Sequence, residues 1–188
     1  VLEAVVRERR FAGSGDQNDA LSLLLASDPQ PELRDIVSAL LLLLWAGHDT
    51  VASLVTWIIY ELGRHPEVLE RLRAEISTVI STEPPSAAAL RQLPWLEAVI
   101  KEGERLHPPA PGGFRGVIKP FNYNEYTVPA GWLAMYSSVY THMDERIWRQ
   151  PETFAPERHL APRNEGKEPF SLVGFGGGPR VCIGVALA

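Results

Sequence analysis

The sequence predicts a mainly α chain with small β-sheets, and three features carry that expectation. Residues 31–63 form one long apolar stretch, and 66–80 and 94–106 are amphipathic segments. Each opens with a proline, Pro31, Pro66 or Pro94, which suits the first turn of a helix. After Pro111 the character changes to short β-branched and aromatic runs separated by Gly, Pro and Asn, the pattern of short strands. From 141 to 170 the chain is rich in Pro and charge with little periodicity, so an irregular packed coil is expected.

In order along the chain, residues 1–11 read as the end of a helix, broken by Gly13, Ser14, Gly15 and Asp16. Residues 19–27 read as a short helix with Asn18 or Asp19 near its N-cap. The long helix runs from about Pro31 to Gly63 and is apolar on nearly every face, which predicts that it crosses the protein interior. His65 and Pro66 stop it and start a helix to about Ile80, with Glu67, Glu70, Arg71, Arg73 and Glu75 on its solvated face. Residues 81–86 form a loop, 87–92 a short helical turn, and 94–106 a further helix ended by His107, Pro108 and Pro109. Strands are expected at 114–118, 125–128 and 132–139, with a turn at 122–125. A short helix near 144–148 and a glycine loop at 174–179, leading into a helix that begins near Cys182, complete the reading. There are no internal repeats.

Composition narrows the function. The net charge of -5 and the lack of any Lys/Arg block give no reason to expect nucleic acid as a partner. A single cysteine excludes an internal disulfide framework and fits a reducing compartment. The longest apolar run, 36–47, is shorter than the roughly 20 residues a bilayer requires, so it reads as a buried helix and not as a membrane anchor. The opening VLEAVVRERR lacks the layout of a signal peptide, and the chain starts mid-helix and stops six residues after Cys182. Both ends therefore read as cut.

The strongest motif is FGGGPRVCIG, residues 175–184, with Phe175, Gly178, Arg180, Cys182 and Gly184 at fixed spacing. Its glycines let backbone approach a large planar ligand and permit positive φ. A cysteine opening a helix sits at the positive end of the dipole, which favours the thiolate, and nearby N–H groups can donate to the sulfur. Arg180 can pair with a carboxylate on the ligand. Two plainer readings compete. A glycine loop before a helix can cradle phosphate, although this one lacks the Lys-Ser/Thr of a P-loop and the dinucleotide glycine spacing. A lone cysteine is usually a small, inert, buried hydrophobe.

This loop resembles the haem-binding loop of the cytochrome P-450 family, Phe-x-x-Gly-x-Arg-x-Cys-x-Gly, and every fixed position is met. The resemblance implies a partial cytochrome P-450 fold: a long central helix, a Glu-x-x-Arg helix, a β-hairpin region, and the cysteine loop with the start of its helix. Residues 1–188 are then a partial catalytic domain, truncated at both ends. It also implies haem b as cofactor, with Cys182 as axial ligand to iron and Arg180 on a propionate. A thiolate ligand pushes electron density onto iron and favours O–O cleavage.

AGHDT, residues 46–50, lies in the middle of the long helix. Ala46 and Gly47 remove bulk from one face, and the Thr50 hydroxyl can bond the Ala46 carbonyl one turn back. A carboxylate and a hydroxyl in an apolar helix are costly unless solvated or paired. The segment is either a groove for water or a small ligand, or a Gly-Thr kink with a surface Asp. Similar cytochromes carry Ala/Gly-Gly-x-Asp/Glu-Thr here, on the oxygen side of the haem. The resemblance implies that Ala46 and Gly47 lie along the cofactor and that Asp49 and Thr50 deliver protons during dioxygen activation. His48, at the variable position, reads as a neighbour and not a ligand.

Glu102 and Arg105 share a helix face, and an exposed pair of this kind contributes only about 0.2–0.5 kcal/mol. In the family, a Glu-x-x-Arg helix locks to an Arg from the later coil. The resemblance therefore gives Glu102, Arg105 and Arg158 a structural role, a carboxylate between two guanidiniums behind the haem. Arg115, in GGFRG, matches a position that binds the other propionate; the plainer reading is an ordinary edge-strand Arg. Four departures stand out. Glu104 replaces a usually apolar residue, and Gly103 weakens its helix by about 1 kcal/mol relative to Ala. His159 replaces the usual Phe, and Asn124-Glu125 the usual Asn-Gly turn. None is expected to touch the haem chemistry.

The resemblance implies a haem-thiolate monooxygenase that activates O₂ and hydroxylates a lipophilic small molecule. Electrons would come from NAD(P)H only through a redox partner, a ferredoxin or a flavoprotein reductase. HPPAPGGFRG and the cysteine loop look most similar to the retinoic-acid-hydroxylase-like and sterol-demethylase-like branches. The expected compartment is the cytoplasm for a bacterial protein and the endoplasmic reticulum membrane for a eukaryotic one, with no anchor in this segment. A complete family member is more than twice as long, so this chain alone is expected to bind haem poorly and not to turn over. Two alternatives differ in class: a peroxide-using or rearranging haem-thiolate enzyme, which the Asp49-Thr50 pair argues against, and a non-functional remnant.

Overall fold

The structure, a computed structural model, describes residues 1–12, 18–80 and 84–186. The expected break at 13–16 and residues 81–83 of the expected loop lie outside the described residues. The chain forms two compact units, Val1–Thr50 and Val51–Ala188.

In the first unit, α1 (Leu2–Ala12), α2 (Ala20–Ala26) and the start of α3 (Leu33–Arg64) bury Val6, Leu21 and Ile36, with Leu24, Leu25, Leu33, Val37 and Leu40 packed around them. Asp19, and not Asn18, caps α2: its Oδ1 accepts the Ser22 N–H at 2.8 Å. The other oxygen accepts from Arg9 of α1 at 3.0 Å, which ties the two helices together.

The expectation that α3 crosses the interior is not met within this chain. Leu42 and Trp45, in its middle, are 61% and 66% exposed. The physical reason is geometric: a helix apolar on every face offers more surface than two small cores cover. Leu33, Val37 and Leu40 join the first core and Ile58 and Leu62 the second, so only the ends are covered. By length and composition alone, the 32-residue helix would also pass for a membrane span, a test that a core helix passes equally.

The second unit is built on α4 (Pro66–Val79) and α6 (Pro94–Leu106), with the short α5 (Ala87–Leu90) between them. Val68, Leu72, Trp95, Ala98, Val99 and Phe154 form its core. Pro94 opens α6 as the sequence predicts, and the orphan N–H groups of Trp95 and Leu96 donate to the Glu75 carboxylate of α4 at 2.8 and 2.9 Å. Gly103 is no mere weakness in α6. A Cβ there would stand 2.5 Å from Ile58 Cγ1, so the glycine admits the close approach of α3.

Strand β1 (Gly112–Gly116) pairs antiparallel with β4 (Leu133–Ser137), Gly112 opposite Ser137 and Gly116 opposite Leu133. Strands β2 (Phe121–Tyr123) and β3 (Tyr126–Val128) form a separate hairpin whose two-residue turn has Asn124 at φ 51°. Part of the expected 122–125 turn is therefore strand. The expected helix at 144–148 is replaced by a single turn, closed by the Trp148 N–H on the Asp144 carbonyl at 2.9 Å. Helix α7 (Ser138–His142) instead follows β4 directly. Its first N–H, from Ser138, is taken by the Pro111 carbonyl at 3.0 Å, a tertiary contact no local pattern announces.

Candidate functional site

At the centre of the second unit, Glu102, Arg105 and Arg158 have no exposed side-chain surface. Glu102 Oε1 accepts from Arg105 Nη2 at 2.9 Å, Arg158 Nε at 2.8 Å and the Ala155 N–H at 3.0 Å. Oε2 accepts from Arg105 Nε at 2.9 Å and lies 2.9 Å from His159 Nε2. His159, which the sequence reading set aside as a departure, thus supplies the last donor on that carboxylate. Burial opposes ionisation of Glu102. The hydrogen bonds from Arg105 and His159 and the charges of Arg105 and Arg158 override it and hold the carboxyl at about 2.

Most of the other guanidinium hydrogen bonds go to main-chain carbonyls. Arg105 donates to His142 O at 2.8 Å and Thr153 O at 3.2 Å. Arg158 donates to Arg149 O at 2.9 Å, Gln150 O at 3.2 Å and Thr153 O at 3.0 Å, and to Glu165 Oε2 at 2.6 Å. Among the described residues no buried side-chain N or O lacks a hydrogen-bond partner. An irregular coil gains rigidity when buried side-chain donors take up its carbonyls in this way.

The cysteine loop begins where this network ends. His142 is fully buried, and its Nε2 accepts the Val173 N–H at 2.9 Å. Val173 O accepts the Gly176 N–H at 2.9 Å, and Phe175 O accepts the Cys182 N–H at 2.9 Å, which closes residues 175–182 into a loop. Gly176 and Gly178 have φ of 73° and 65°, the left-handed region that favours glycine. A single 3₁₀ turn, Gly178–Arg180, leads to Cys182. The expected helix from Cys182 is absent among the described residues. Among those residues Cys182 O accepts the Val185 N–H at 3.5 Å, the closure of a turn.

Cys182 is a free, exposed thiol, so the buried-hydrophobe reading does not hold. A side chain at Gly184 would start 3.7 Å from its sulfur, and open space surrounds Gly178. Arg180 is exposed and, like Arg115, makes no ion pair among the described residues. Arg115 lies on β1, donates to its neighbour's carbonyl, Phe114 O, at 2.7 Å and sits 5.6 Å over the Tyr136 ring. The Tyr136 hydroxyl in turn lies 4.0 Å from where a Cβ at Gly176 would be, so β1, β4 and the cysteine loop meet here.

Asp49 and Thr50 belong to the other unit. The Thr50 hydroxyl donates to the Ala46 carbonyl at 2.6 Å, one turn back, and nothing lies within 4 Å of a Cβ at Gly47. Asp49 is exposed.

The residues of the loop suit a metal carried by a macrocycle. Among the described residues no three His, Cys, Asp or Glu side chains cluster as a protein-only metal site would need. The loop instead offers one exposed thiol and glycines that leave room beside it, and Arg180 of the loop and Arg115 of β1 have no carboxylate partner among the described residues. That donor set matches a planar cofactor with one axial ligand and two carboxylates.

A family model described as cytochrome P450 matches residues 1–188, and the chain belongs to that family. It is 35% identical over 93% of its length to cytochrome P450 26A1 of Gallus gallus, and covers 37% of that protein. It is 34% identical over its whole length to cyclooctat-9-en-7-ol 5-monooxygenase of Streptomyces melanosporofaciens, and covers 42% of that one. Among solved structures it is similar to a retinoic acid-bound cyanobacterial CYP120A1, with a TM-score of 0.90 and 34% identity over 99% of this chain and 44% of the other. The chain thus spans less than half the length of these relatives. The fold is the mainly helical cytochrome P450 fold over a partial chain, and membership implies a haem cofactor.

Proposed function

We propose that residues 1–188 are a partial catalytic domain of a haem-thiolate monooxygenase, in which Cys182 would supply the thiolate that holds the iron of haem b. The observation that carries the reading is the exposed Cys182 thiol on a glycine loop, near Arg115 and Arg180, which make no ion pair among the described residues. When bound, haem supplies dioxygen activation, one oxygen atom entering the substrate and the other leaving as water. Arg115 and Arg180 would pair with its two propionates, for which a guanidinium offers bidentate geometry. Gly178 and Gly184 would leave room for it, Phe175 would pack against it, and the small residues Ala46 and Gly47 would admit it alongside α3. Glu102, Arg105 and Arg158 hold the coil behind it.

Thr50 and Asp49 move protons. The Thr50 hydroxyl hydrogen rests on the Ala46 carbonyl, and breaking that bond frees it for donation. Asp49, open to solvent, re-supplies it. Electrons reach the site from NAD(P)H through a ferredoxin or a flavoprotein reductase. Retinoic acid in the similar structure and cyclooctat-9-en-7-ol in a relative's name are both lipophilic, and a lipophilic small molecule is the proposed substrate class. Relatives occur in bacteria and animals, which leaves the cytoplasm for a bacterial protein and the endoplasmic reticulum membrane for a eukaryotic one.

The test is the reduced, CO-bound difference spectrum of the full-length protein beside its Cys182→Ser variant. A strongly red-shifted Soret band, lost in the variant, is the expected result. Folded, haem-supplied protein without that band would remove Cys182 as ligand and the monooxygenase reading with it.

A further inference from the structure

Two buried ionisable side chains hold the start of the cysteine loop, and the proposed chemistry uses neither. His142 bridges two elements: Nδ1 lies 3.0 Å from the Arg105 carbonyl and so carries the proton, which leaves Nε2 to accept the Val173 N–H at 2.9 Å. The next residue, Gly174, lies against Glu104. A Cβ built at Gly174 would overlap Glu104 Oε1 and stand 2.6 Å from its Cγ. The carboxyl therefore lies on the glycine backbone, in a place that no other residue at 174 would leave open. Glu104 is 7% exposed and makes no ion pair among the described residues.

We propose that His142 and Glu104 are positioning residues for Cys182. By fastening Val173 and Gly174 they fix the path of the loop that presents the thiolate. The inference rests on the haem-thiolate reading above. The connection is short: Val173 O holds the Gly176 N–H, and Phe175 O holds the N–H of Cys182 itself.

Burial favours the neutral form of both groups. Burial pushes Glu104 up to about 7; the Gly174 N–H and the charge of Lys101 oppose the shift only weakly. Lys101 is itself paired with Glu97 at 2.6 Å. Burial likewise brings His142 down to about 4; its bond to the Arg105 carbonyl opposes this, and the Arg105 charge adds to it. The Arg105 charge is in turn bound by Glu102. The signs follow from linkage. The Glu104 contribution is full below 4.5 and is lost as pH rises through about 7. That of His142 is full above 6.5 and is lost as pH falls towards about 4.

The test follows the red-shifted CO band of the full-length, haem-loaded protein as it converts to the unshifted form, between about pH 5 and about pH 9. In wild type, conversion should accelerate about tenfold on the alkaline side. Glu104→Gln, neutral at every pH and of equal size, should lose that acceleration. His142→Phe, which fills the space without either bond, should convert about tenfold faster at all pH values. His142→Gln, which restores an acceptor for Val173, should recover most of the loss.

Glu104→Gln with the wild-type pH profile, or His142→Phe with the wild-type rate, overturns the proposal. Should His142→Phe not fold, the Glu104→Gln profile decides. A wild type with no red-shifted band overturns the haem-thiolate reading and this proposal together. A band present in wild type and unmoved by the variants overturns this proposal alone.

Discussion

Glu102→Ala should cost the chain about 3–5 kcal/mol, a large fraction of the stability of an ordinary domain. The substitution removes the one acceptor shared by Arg105, Arg158, His159 and the Ala155 N–H. Arg105, with no exposed surface, is then left as an uncompensated buried charge, and Arg158 keeps only Glu165 as a carboxylate partner. Breaking a buried pair from one side is far more damaging than the pair's net worth, because the orphaned charge has nowhere to go. The pH dependence has a definite sign. The Glu102 carboxyl is held at about 2 against an ordinary 4.5. Its contribution is therefore present above 4.5 and lost as pH falls through about 2. Urea denaturation of wild type and variant at neutral pH measures the loss. A change below about 1 kcal/mol would mean that the two arginines find other partners, and that the carboxylate is not the centre of the network.

Gly166→Ala should destabilise by roughly 2–4 kcal/mol, an unusual cost for one methyl group. Gly166 has a φ of 67°, and a Cβ there would overlap Trp148 Cη2 and stand 2.6 Å from Cζ3. Trp148 is fully buried and donates from Nε1 to Thr141 O at 3.2 Å. Its ring lies 5.4 Å from the Arg105 guanidinium and 5.6 Å from the His159 ring. The indole cannot yield without disturbing the groups that hold Glu102. The control is Gly131→Ala: φ there is 86°, and nothing lies within 4 Å of a Cβ. It carries the backbone cost of about 1 kcal/mol alone. Thermal melts of the two variants separate the terms, and equal shifts would remove the steric argument.

Legibility followed the range of the signals. Helix α6 runs from Pro94 to Leu106, as read from the sequence, because both of its ends are marked by local chemistry, Pro94 and the His-Pro-Pro that follows. The hydrogen bond from Thr50 to Ala46 was legible for the same reason: it spans one turn. Strand β2 was missed because Phe121–Tyr123 is three residues with a polar centre, too short for a period to register. Helix α7 was missed because Ser138–His142 continues the β-branched pattern of β4, and a distant carbonyl decides where the strand stops. His159 looked like a neutral departure because its partner, Glu102, lies 57 positions away. His142 carried no motif at all. Its importance comes from touching a helix and a loop that the sequence separates by more than sixty residues.

The two central arginines grip their coil mainly by carbonyl oxygens, those of His142, Arg149, Gln150 and Thr153. A carbonyl is common to every amino acid. The path of the coil is thus written in groups that mutation cannot delete, while the side chains at 149, 150 and 153 take no part in those bonds. Its outer surface is consequently free to be rewritten, for charge, for solubility or for a new partner, without moving the framework beneath. Variation should concentrate in this segment's side chains and avoid the few residues that do the gripping.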